Sequence, residues 1–162
     1  MESFAYSDNQ LRADNQQGRL EPWWIVGFVD GEGCFSISVF KNSTTKLGVQ
    51  VFPEFVVTQG AKSLSTLEDL QEFFQVGRIY ENKRNDNHKE SLYRYCVRSL
   101  RDIQEKIIPF FHEYQLNTAK QQDFLLFCQV VDMISRKQHL TLEGLEKIKA
   151  LVTTMNRRKT RL

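Results

Sequence analysis

The sequence predicts an α+β fold in which helices cover one face of an antiparallel sheet. The first observation is that four short segments alternate or concentrate β-prone residues, as two hairpins would: Cys34 to Lys41, Val49 to Gln59, Arg78 to Lys83 and Leu92 to Ser99. The second is that the segments before, between and after them place apolar residues at helical spacing. The predicted order is α-β-β-α-β-β-α, followed by two further helices.

The first helix is an apolar segment that ends in two acids set between glycines. Pro22 suits the first helical position because its fixed φ is already helical. Gly31 and Gly33 are expected to stop the helix by adopting φ values that other residues avoid. Because the helix is apolar on nearly every side, we expect it to be buried all round. Glu32 follows the last turn, where the negative end of the helix dipole favours a cation.

The first hairpin predicts a half-buried sheet. Phe35, Ile37 and Val39 alternate with polar neighbours, which is typical of a strand with one face in the core. Pro53 lies inside the second strand and predicts a sheet edge or a bulge.

Three helices are predicted after the second hairpin. Ser99 and Asp102 have the spacing of a helix cap, and Pro109 is expected to kink or end the helix that they open. A long helix is predicted from about Thr118 to Lys137, and a last helix opens at Thr141.

Composition and charge exclude several classes of protein. The chain has 162 residues and a net charge of +2, so it is one domain or two small ones, and its overall charge does not indicate a polyanionic partner. Three widely spaced cysteines argue against a disulfide framework or a structural zinc site and favour a reducing compartment. No segment approaches the apolar length of a membrane span. Residues 1–20 lack the apolar region of a secretory signal and are predicted to be a flexible polar tail.

The segment Ile25-Val26-Gly27-Phe28-Val29-Asp30-Gly31-Glu32-Gly33 resembles the signature of the LAGLIDADG homing endonucleases. Weaker similarity continues through Val51 to Gln59, Pro109 to Phe124 and His139 to Asn156, so the resemblance covers most of residues 21–156. It implies a single LAGLIDADG domain with an αββαββα core, extra C-terminal helices and an antiparallel sheet that forms a DNA-binding saddle. The motif occurs once, so we expect a homodimer whose two-fold axis runs between paired first helices. The expected interface residues are Trp23, Trp24, Gly27 and Phe28.

The resemblance also implies the residues of a catalytic site. The acid at Glu32 would bind Mg²⁺ or another divalent cation at the scissile phosphates, with help from the main-chain carbonyl of Gly31. Gln59 is at the position of a polar residue that orders water, although a solvated strand end is the alternative. Lys120 is the candidate basic residue near the phosphate, with Thr118 as a possible equivalent and a solvated surface lysine as the alternative. Asp30 is expected to be a structural acid.

DNA binding is expected on the uncovered face of the sheet. From Arg78 to Arg101 there are seven Lys or Arg against three acids, which gives a local excess of +4. A one-residue shift in the fourth strand would exchange Arg94 and Arg98 for Tyr93 and Tyr95. Phe40, Phe52, Glu54 and Val56 would share the face unless Pro53 shifts the register. The predicted DNA-binding residues are Ser36, Ser38, Gln50, Arg78, Tyr80, Asn82, Lys83, Arg84, Arg94 and Arg98.

The resulting functional hypothesis is a homodimeric, Mg²⁺-dependent, sequence-specific double-strand DNA endonuclease of the homing type. The alternative is a relative that binds DNA or RNA without cutting it, such as an intron maturase acting on intron RNA or a transcription regulator. A third interpretation is a metal-free protein-interaction domain. The cysteines favour a reducing compartment, either a bacterial cytoplasm or an organelle (a chloroplast or a mitochondrion), without indicating which. Residues 157–162 are a short basic tail that either contacts phosphates or only aids solubility.

Overall fold

A computed structural model describes residues 20–82 and 91–155. Its order of helices and strands agrees with the prediction. The predicted tails, residues 1–20 and 157–162, fall outside the described ranges except for Leu20, and so do Lys83 and Arg84. The elements are α1 (Pro22–Glu32), β1 (Gly33–Lys41), β2 (Val49–Gly60), α2 (Leu64–Phe74), β3 (Arg78–Asn82), β4 (Leu92–Val97), α3 (Leu100–Asp102, Ile103–Ile107 and Ile108–Glu113), α4 (Lys120–Ser135) and α5 (Leu142–Thr154).

The four strands form one antiparallel sheet in the order β1-β2-β4-β3. Strand β2 pairs with β1 without interruption, from Gly33 opposite Val57 to Lys41 opposite Val49, so the bulge considered for Pro53 is wrong. Pairing of β2 with β4 begins only at Phe55. Pro53 therefore lies where β2 has a single neighbour, and the edge interpretation is confirmed for that half of the strand.

The core lies between the helices and one face of the sheet. Phe35 and Phe55 are fully buried and pack against Phe111, with ring centroids 5.3 and 5.7 Å away. Tyr95 is also fully buried, and its hydroxyl donates a hydrogen bond to the carbonyl of Val76 at 2.9 Å. Each such aromatic side chain stabilises the fold by about 1.5–3 kcal/mol through burial. This core covers the odd-numbered side of β1 and β2 and leaves the other side open.

Helix α1 corrects two predictions. It begins at Pro22 as expected but continues through Glu32, and Gly33 has an extended φ of −83° that any residue can adopt. Gly33 is needed for a different reason, because a Cβ there would lie 2.6 Å from Val29 Cγ1 and 2.9 Å from the Val29 carbonyl oxygen. Gly31 does not have a positive φ either. Burial on all sides is also wrong within one chain, where the helix buries only one face, formed by Ile25, Val26 and Val29.

Pro109 does not end α3. The helix opens at Ser99, whose hydroxyl accepts a hydrogen bond from the Asp102 amide as predicted. It then widens into a π-helical turn over Ile103–Ile107 and continues to Glu113. A wide turn just before the proline relieves the loss of its N–H and the clash of its ring with the preceding turn. In the described ranges, the helices are all too short or too polar to span a membrane.

Candidate active site and nucleic-acid interface

The end of α1 is tied to the residues that precede α4 by the carboxylate of Asp30. This carboxylate accepts hydrogen bonds from the Asn117 amide at 2.8 Å, the Thr118 amide at 3.3 Å and the Thr118 hydroxyl at 2.7 Å. We call these three residues the Asp30 clamp. Charge-assisted hydrogen bonds of this kind are stronger than neutral ones, so the clamp fixes α1 against α4. The contacts fit the expected structural role of Asp30.

Lys120 is the first residue of α4, and the clamp positions it. Its amide donates to the Thr118 hydroxyl at 3.2 Å, and its ammonium group donates to the carbonyls of Val29 at 2.7 Å and Asp30 at 2.9 Å. Burial lowers the pKa of Lys120, and neighbouring negative groups, Glu32 among them, act in the opposite direction. The ammonium group therefore binds the negative end of the α1 dipole, and the alternative of a solvated lysine is wrong.

Gly31 and Glu32 are the last two residues of α1, and both are exposed. Strand β1 starts at Gly33 opposite Val57, so the C-terminal end of β2 lies at the same end of the sheet. Gln59 is there, half-buried and opposite Tyr93 of β4. The fold thus brings Gly31, Glu32, Gln59 and Lys120 to one end of the domain, although no direct bond joins Gln59 to the other three.

The described part of one chain does not supply a full set of metal-binding side chains at this place. Within residues 20–82 and 91–155, no three His, Cys, Asp or Glu side chains cluster closely enough to hold a metal ion. The donors offered by Glu32 and the Gly31 carbonyl are oxygens, which suit a hard cation such as Mg²⁺ or Ca²⁺. Further ligands for such a cation would have to come from water, from a phosphate or from another chain.

The exposed side of α1 is an apolar stripe formed by Trp24, Gly27 and Phe28. Trp24 is 45% exposed and stacks on Phe28 with 4.9 Å between ring centroids. A Cβ added at Gly27 would meet nothing within 4 Å, so the helix backbone is open at that point. Trp23 lies beside the stripe, 62% exposed, with its ring edge-on to Tyr114. All four predicted interface residues are therefore at or beside a surface that the described residues of this chain leave uncovered.

The register settles which side chains share the open face of the sheet. Arg94 lies opposite Thr58 and Tyr80, while its neighbour Tyr95 is buried in the core, so the prediction of Arg94 and Arg98 on the open face is confirmed. Because the register is unbroken at Pro53, Phe40, Phe52, Glu54 and Val56 do share this face. The predicted positions on it within the described ranges are Ser36, Ser38, Gln50, Arg78, Tyr80, Asn82, Arg94 and Arg98.

A charged network that the sequence pattern does not predict lies in the middle of the open face. The Glu54 carboxylate accepts a hydrogen bond from Arg98 Nε at 2.8 Å and faces Arg94 Nη2 at 3.4 Å. The Arg98 guanidinium also lies over the Tyr80 ring, 4.8 Å from its centroid. Glu54 was recognised only as an exception on a basic face. The strand register makes these partners predictable. Val97 of β4 faces Phe55 of β2, so in an antiparallel pair the next residue, Arg98, comes beside Glu54.

Comparison with known proteins identifies the family. The family model described as LAGLIDADG endonuclease matches residues 25–131, which is most of the domain. The chain belongs to the LAGLIDADG endonuclease family. The match includes most of α1, the whole sheet and most of α4, so it covers both the end of α1 and the open face.

Individual members of the LAGLIDADG family are similar over most of this chain. A probable intron-encoded endonuclease 3 of Neurospora crassa is 35% identical over 143 residues, which are 88% of this chain and 26% of that protein. This chain thus spans about a quarter of the length of that relative.

Solved structures of homing endonucleases have the same fold. The crystal structure of I-TnaI superposes with a TM-score of 0.78 at 38% identity, covering 86% of this chain and 90% of that one. The structure of I-SmaMI, bound to an uncleaved DNA target in the presence of calcium ions, has a TM-score of 0.78 at 42% identity. The superposition covers 85% of this chain but only 45% of the I-SmaMI chain.

Proposed function

We propose that this chain is one half of a site-specific, metal-dependent DNA endonuclease, and that the other half is a second copy of the same chain. The observation that carries the proposal is the end of α1. There Glu32 is exposed beside the anchored amine of Lys120, while the same helix leaves an apolar stripe uncovered. Packing among the described residues of one chain explains neither the exposed glutamate nor the uncovered apolar stripe.

The stripe supports association through α1. Exposed aromatic side chains around an open glycine are typical of a protein–protein contact in which two backbones approach closely. A two-fold axis beside Gly27 would bring both copies of Glu32 together, and two adjacent carboxylates repel each other unless a cation lies between them. The alternative to a second copy of the chain is a second LAGLIDADG domain in one longer protein. This alternative is worth testing because the match covers only 45% of the I-SmaMI chain.

The chemistry assigned to the chain's own residues follows from their places. Glu32, helped by the Gly31 carbonyl, would hold the cation, for which Mg²⁺ is the proposed species. A bound divalent cation would stabilise charge on the scissile phosphate and lower the pKa of an attacking water. Lys120, held by the clamp, would add positive charge beside the phosphate. Gln59, at the adjoining strand end, would orient water.

The open sheet face is the proposed surface for double-stranded DNA. Arg78, Arg94 and Arg98 can contact phosphates or guanine edges, and the polar side chains around them can read the major groove. Lys83 and Arg84 are assigned to the same surface from the sequence alone. Two copies related by two-fold symmetry would recognise a long pseudo-palindromic site, as the symmetry of the protein is mirrored in its target.

A non-cleaving relative that binds intron RNA is the rival function. Exposed Glu32 argues against it, because a carboxylate near a phosphate weakens binding unless a cation is present.

The relative in Neurospora crassa is called intron-encoded. Cys34, Cys96 and Cys128 form no disulfide bond, which supports a reducing compartment, either an organelle or a bacterial cytoplasm.

A cleavage selection tests the proposal without a known target. The purified chain is incubated with a plasmid library of randomised inserts, with Mg²⁺ or with EDTA, and the cut ends are sequenced. We expect one family of related, two-fold symmetric sites, cut on both strands only with Mg²⁺. Glu32→Gln should abolish cleavage while binding to the selected site is kept, whereas Glu143→Gln, an exposed glutamate on α5, should change neither. Loss of binding together with cleavage in Glu32→Gln would assign that residue a structural role.

A further inference from the structure

An acid at the centre of a DNA-binding face is unexpected, because it repels the phosphates that the surrounding arginines attract. Glu54 occupies this place on β2, paired with Ser36 of β1 on one side and facing Arg94 of β4 and Arg98, the residue after β4, on the other. Its side chain is only 13% exposed, whereas those of Arg94 and Arg98 are 35% and 40% exposed. The carboxylate is therefore screened by the two arginines.

The contacts fix the position of Arg98 in particular. Its Nε donates to Glu54, its Nη2 approaches the sulfur of Cys96 at 3.9 Å, and its guanidinium stacks over Tyr80. The ring of Phe52 lies on another side, 6.0 Å from the guanidinium carbon. An arginine held in this way loses little conformational freedom when it binds, whereas a free arginine has to give up its side-chain entropy.

We propose that Glu54 determines DNA specificity by holding Arg98 for guanine and by accepting a hydrogen bond from the cytosine of the same base pair. This inference rests on the DNA endonuclease function proposed above. The chemistry of the major groove supports it, since arginine is the usual partner of guanine O6 and N7, and a carboxylate there accepts from the amino group of cytosine or adenine. An arginine and a glutamate in contact with each other match the two halves of a G·C pair.

A second consequence concerns binding to DNA of any sequence. In the free protein one carboxylate engages two guanidinium groups, so those groups are less available to phosphates. Each phosphate contact contributes to the salt dependence of binding, and removing the carboxylate should add to these contacts. Glu54 therefore weakens non-specific binding at the same time as it strengthens the choice of one base pair.

The test uses Glu54→Gln, which has nearly the same shape and no charge, with Glu81→Gln as the matched control. Glu81 is an exposed glutamate on β3, the strand on the far side of β4, and on the other face of the sheet; it accepts a hydrogen bond from Ser91. Both variants change the net charge equally. Arg98→Lys is the third variant, because it keeps the positive charge but loses the planar guanidinium. All are examined in EDTA, so that binding is measured without cutting, and thermal unfolding identifies any variant that does not fold.

Sequences bound by each protein are selected from a randomised duplex pool, and affinity for random duplex is measured against salt concentration. For Glu54→Gln we expect preference for G·C to fall about tenfold at one position in each half-site. The slope of log affinity against log salt should become steeper by about one unit. Arg98→Lys should lose the same preference without the steeper slope, and Glu81→Gln should match the wild type.

Two results would overturn the inference in distinguishable ways. A wild-type protein that binds no duplex, or that binds without any sequence preference, would remove the proposed function and this inference together. A wild-type protein that selects a clear site, with Glu54→Gln keeping the same preferences and the same salt slope as Glu81→Gln, would leave the proposed function intact and remove the role of Glu54.

Discussion

The hydroxyl of Thr118 donates to the carboxylate of Asp30 at 2.7 Å and accepts from the amide of Lys120 at 3.2 Å. One small side chain thus joins the last turn of α1, which carries the motif, to the first turn of α4, which carries the proposed catalytic lysine. The backbone of Lys120 is thereby held beside the end of α1, where its amine donates to the carbonyls of Val29 and Asp30.

Thr118→Val should slow cleavage more than it weakens DNA binding. Valine has nearly the same shape as threonine but cannot make either hydrogen bond, so Lys120 would lose its fixed position. A misplacement of about 1 Å can cost about a hundredfold in rate, while the lost bonds should reduce the free energy of unfolding by about 1 kcal/mol. Single-turnover cleavage, binding affinity and thermal unfolding measure the three effects. Thr118→Ser, which keeps the hydroxyl, should restore the rate; equal rates in the valine and serine variants would contradict the positioning role.

The ammonium group of Lys120 should lose its proton at a lower pH than an exposed lysine. Burial lowers its pKa from the ordinary value of 10.5. The folded state therefore holds this proton less tightly than the unfolded state, so the free energy of unfolding should rise with pH between the folded pKa and 10.5. Unfolding measured against pH, with Lys120→Met as the reference, checks the sign. If the contribution of Lys120 to the free energy of unfolding instead fell with pH across this range, the neighbouring negative groups would outweigh burial in setting its pKa.

Gly33→Ala should destabilise the fold, although replacing glycine by alanine normally stabilises regular secondary structure. The added methyl group would lie 2.6 Å from Val29 Cγ1 and 2.9 Å from a backbone oxygen, and Val29 is fully buried. Overpacking of this kind costs about 1–3 kcal/mol. Chemical denaturation measures the loss. Gly31→Ala, where the methyl group meets nothing within 4 Å, is the control and should keep or raise stability.

Gly27→Leu should prevent association while leaving each chain folded. The position is open within one chain, so leucine fits there, but it would block a second backbone from approaching. Sedimentation velocity should show a dimer for the wild type and a monomer for the variant, with unchanged circular dichroism. Ala150→Leu, at an exposed position on α5, adds bulk elsewhere and should remain dimeric. A wild-type chain that is monomeric at all accessible concentrations would favour a second domain in a longer protein.

The sequence predicted those features that depend on local pattern. Alternation in β1 and helical spacing after β4 were enough for the order of elements, and the caps at Ser99 and Thr141 were correctly placed. Errors arose where a residue's role depends on packing or on a local helix distortion that residue type alone does not indicate. Gly33 was assigned a special φ, but its constraint is the side chain of Val29. Of the two outcomes expected at Pro109, a kink or an end of α3, the end is wrong, because the helix continues to Glu113 after a π-helical turn.

The sequence predicted only part of the candidate site, because some of its contacts join residues that are far apart in the chain. The motif places Glu32 at a helix end, and this is a property of consecutive residues. The contact of Lys120 with the carbonyls of Val29 and Asp30 joins positions about ninety residues apart, so only the resemblance to a family could suggest it. The network of Glu54 with Arg94 and Arg98 requires the register of two strands, which residue alternation does not determine.

The central claim is that two copies of this chain meet along α1 so that their Glu32 carboxylates share divalent cations at a phosphodiester. A crystal structure of the chain with its selected DNA site and Ca²⁺ tests this most directly. The predicted result is Glu32 from both copies with carboxylate oxygens about 2.3–2.6 Å from calcium ions that also bind the DNA phosphates. A Glu32 side chain that points into solvent, far from its symmetry mate and from any cation, would contradict it.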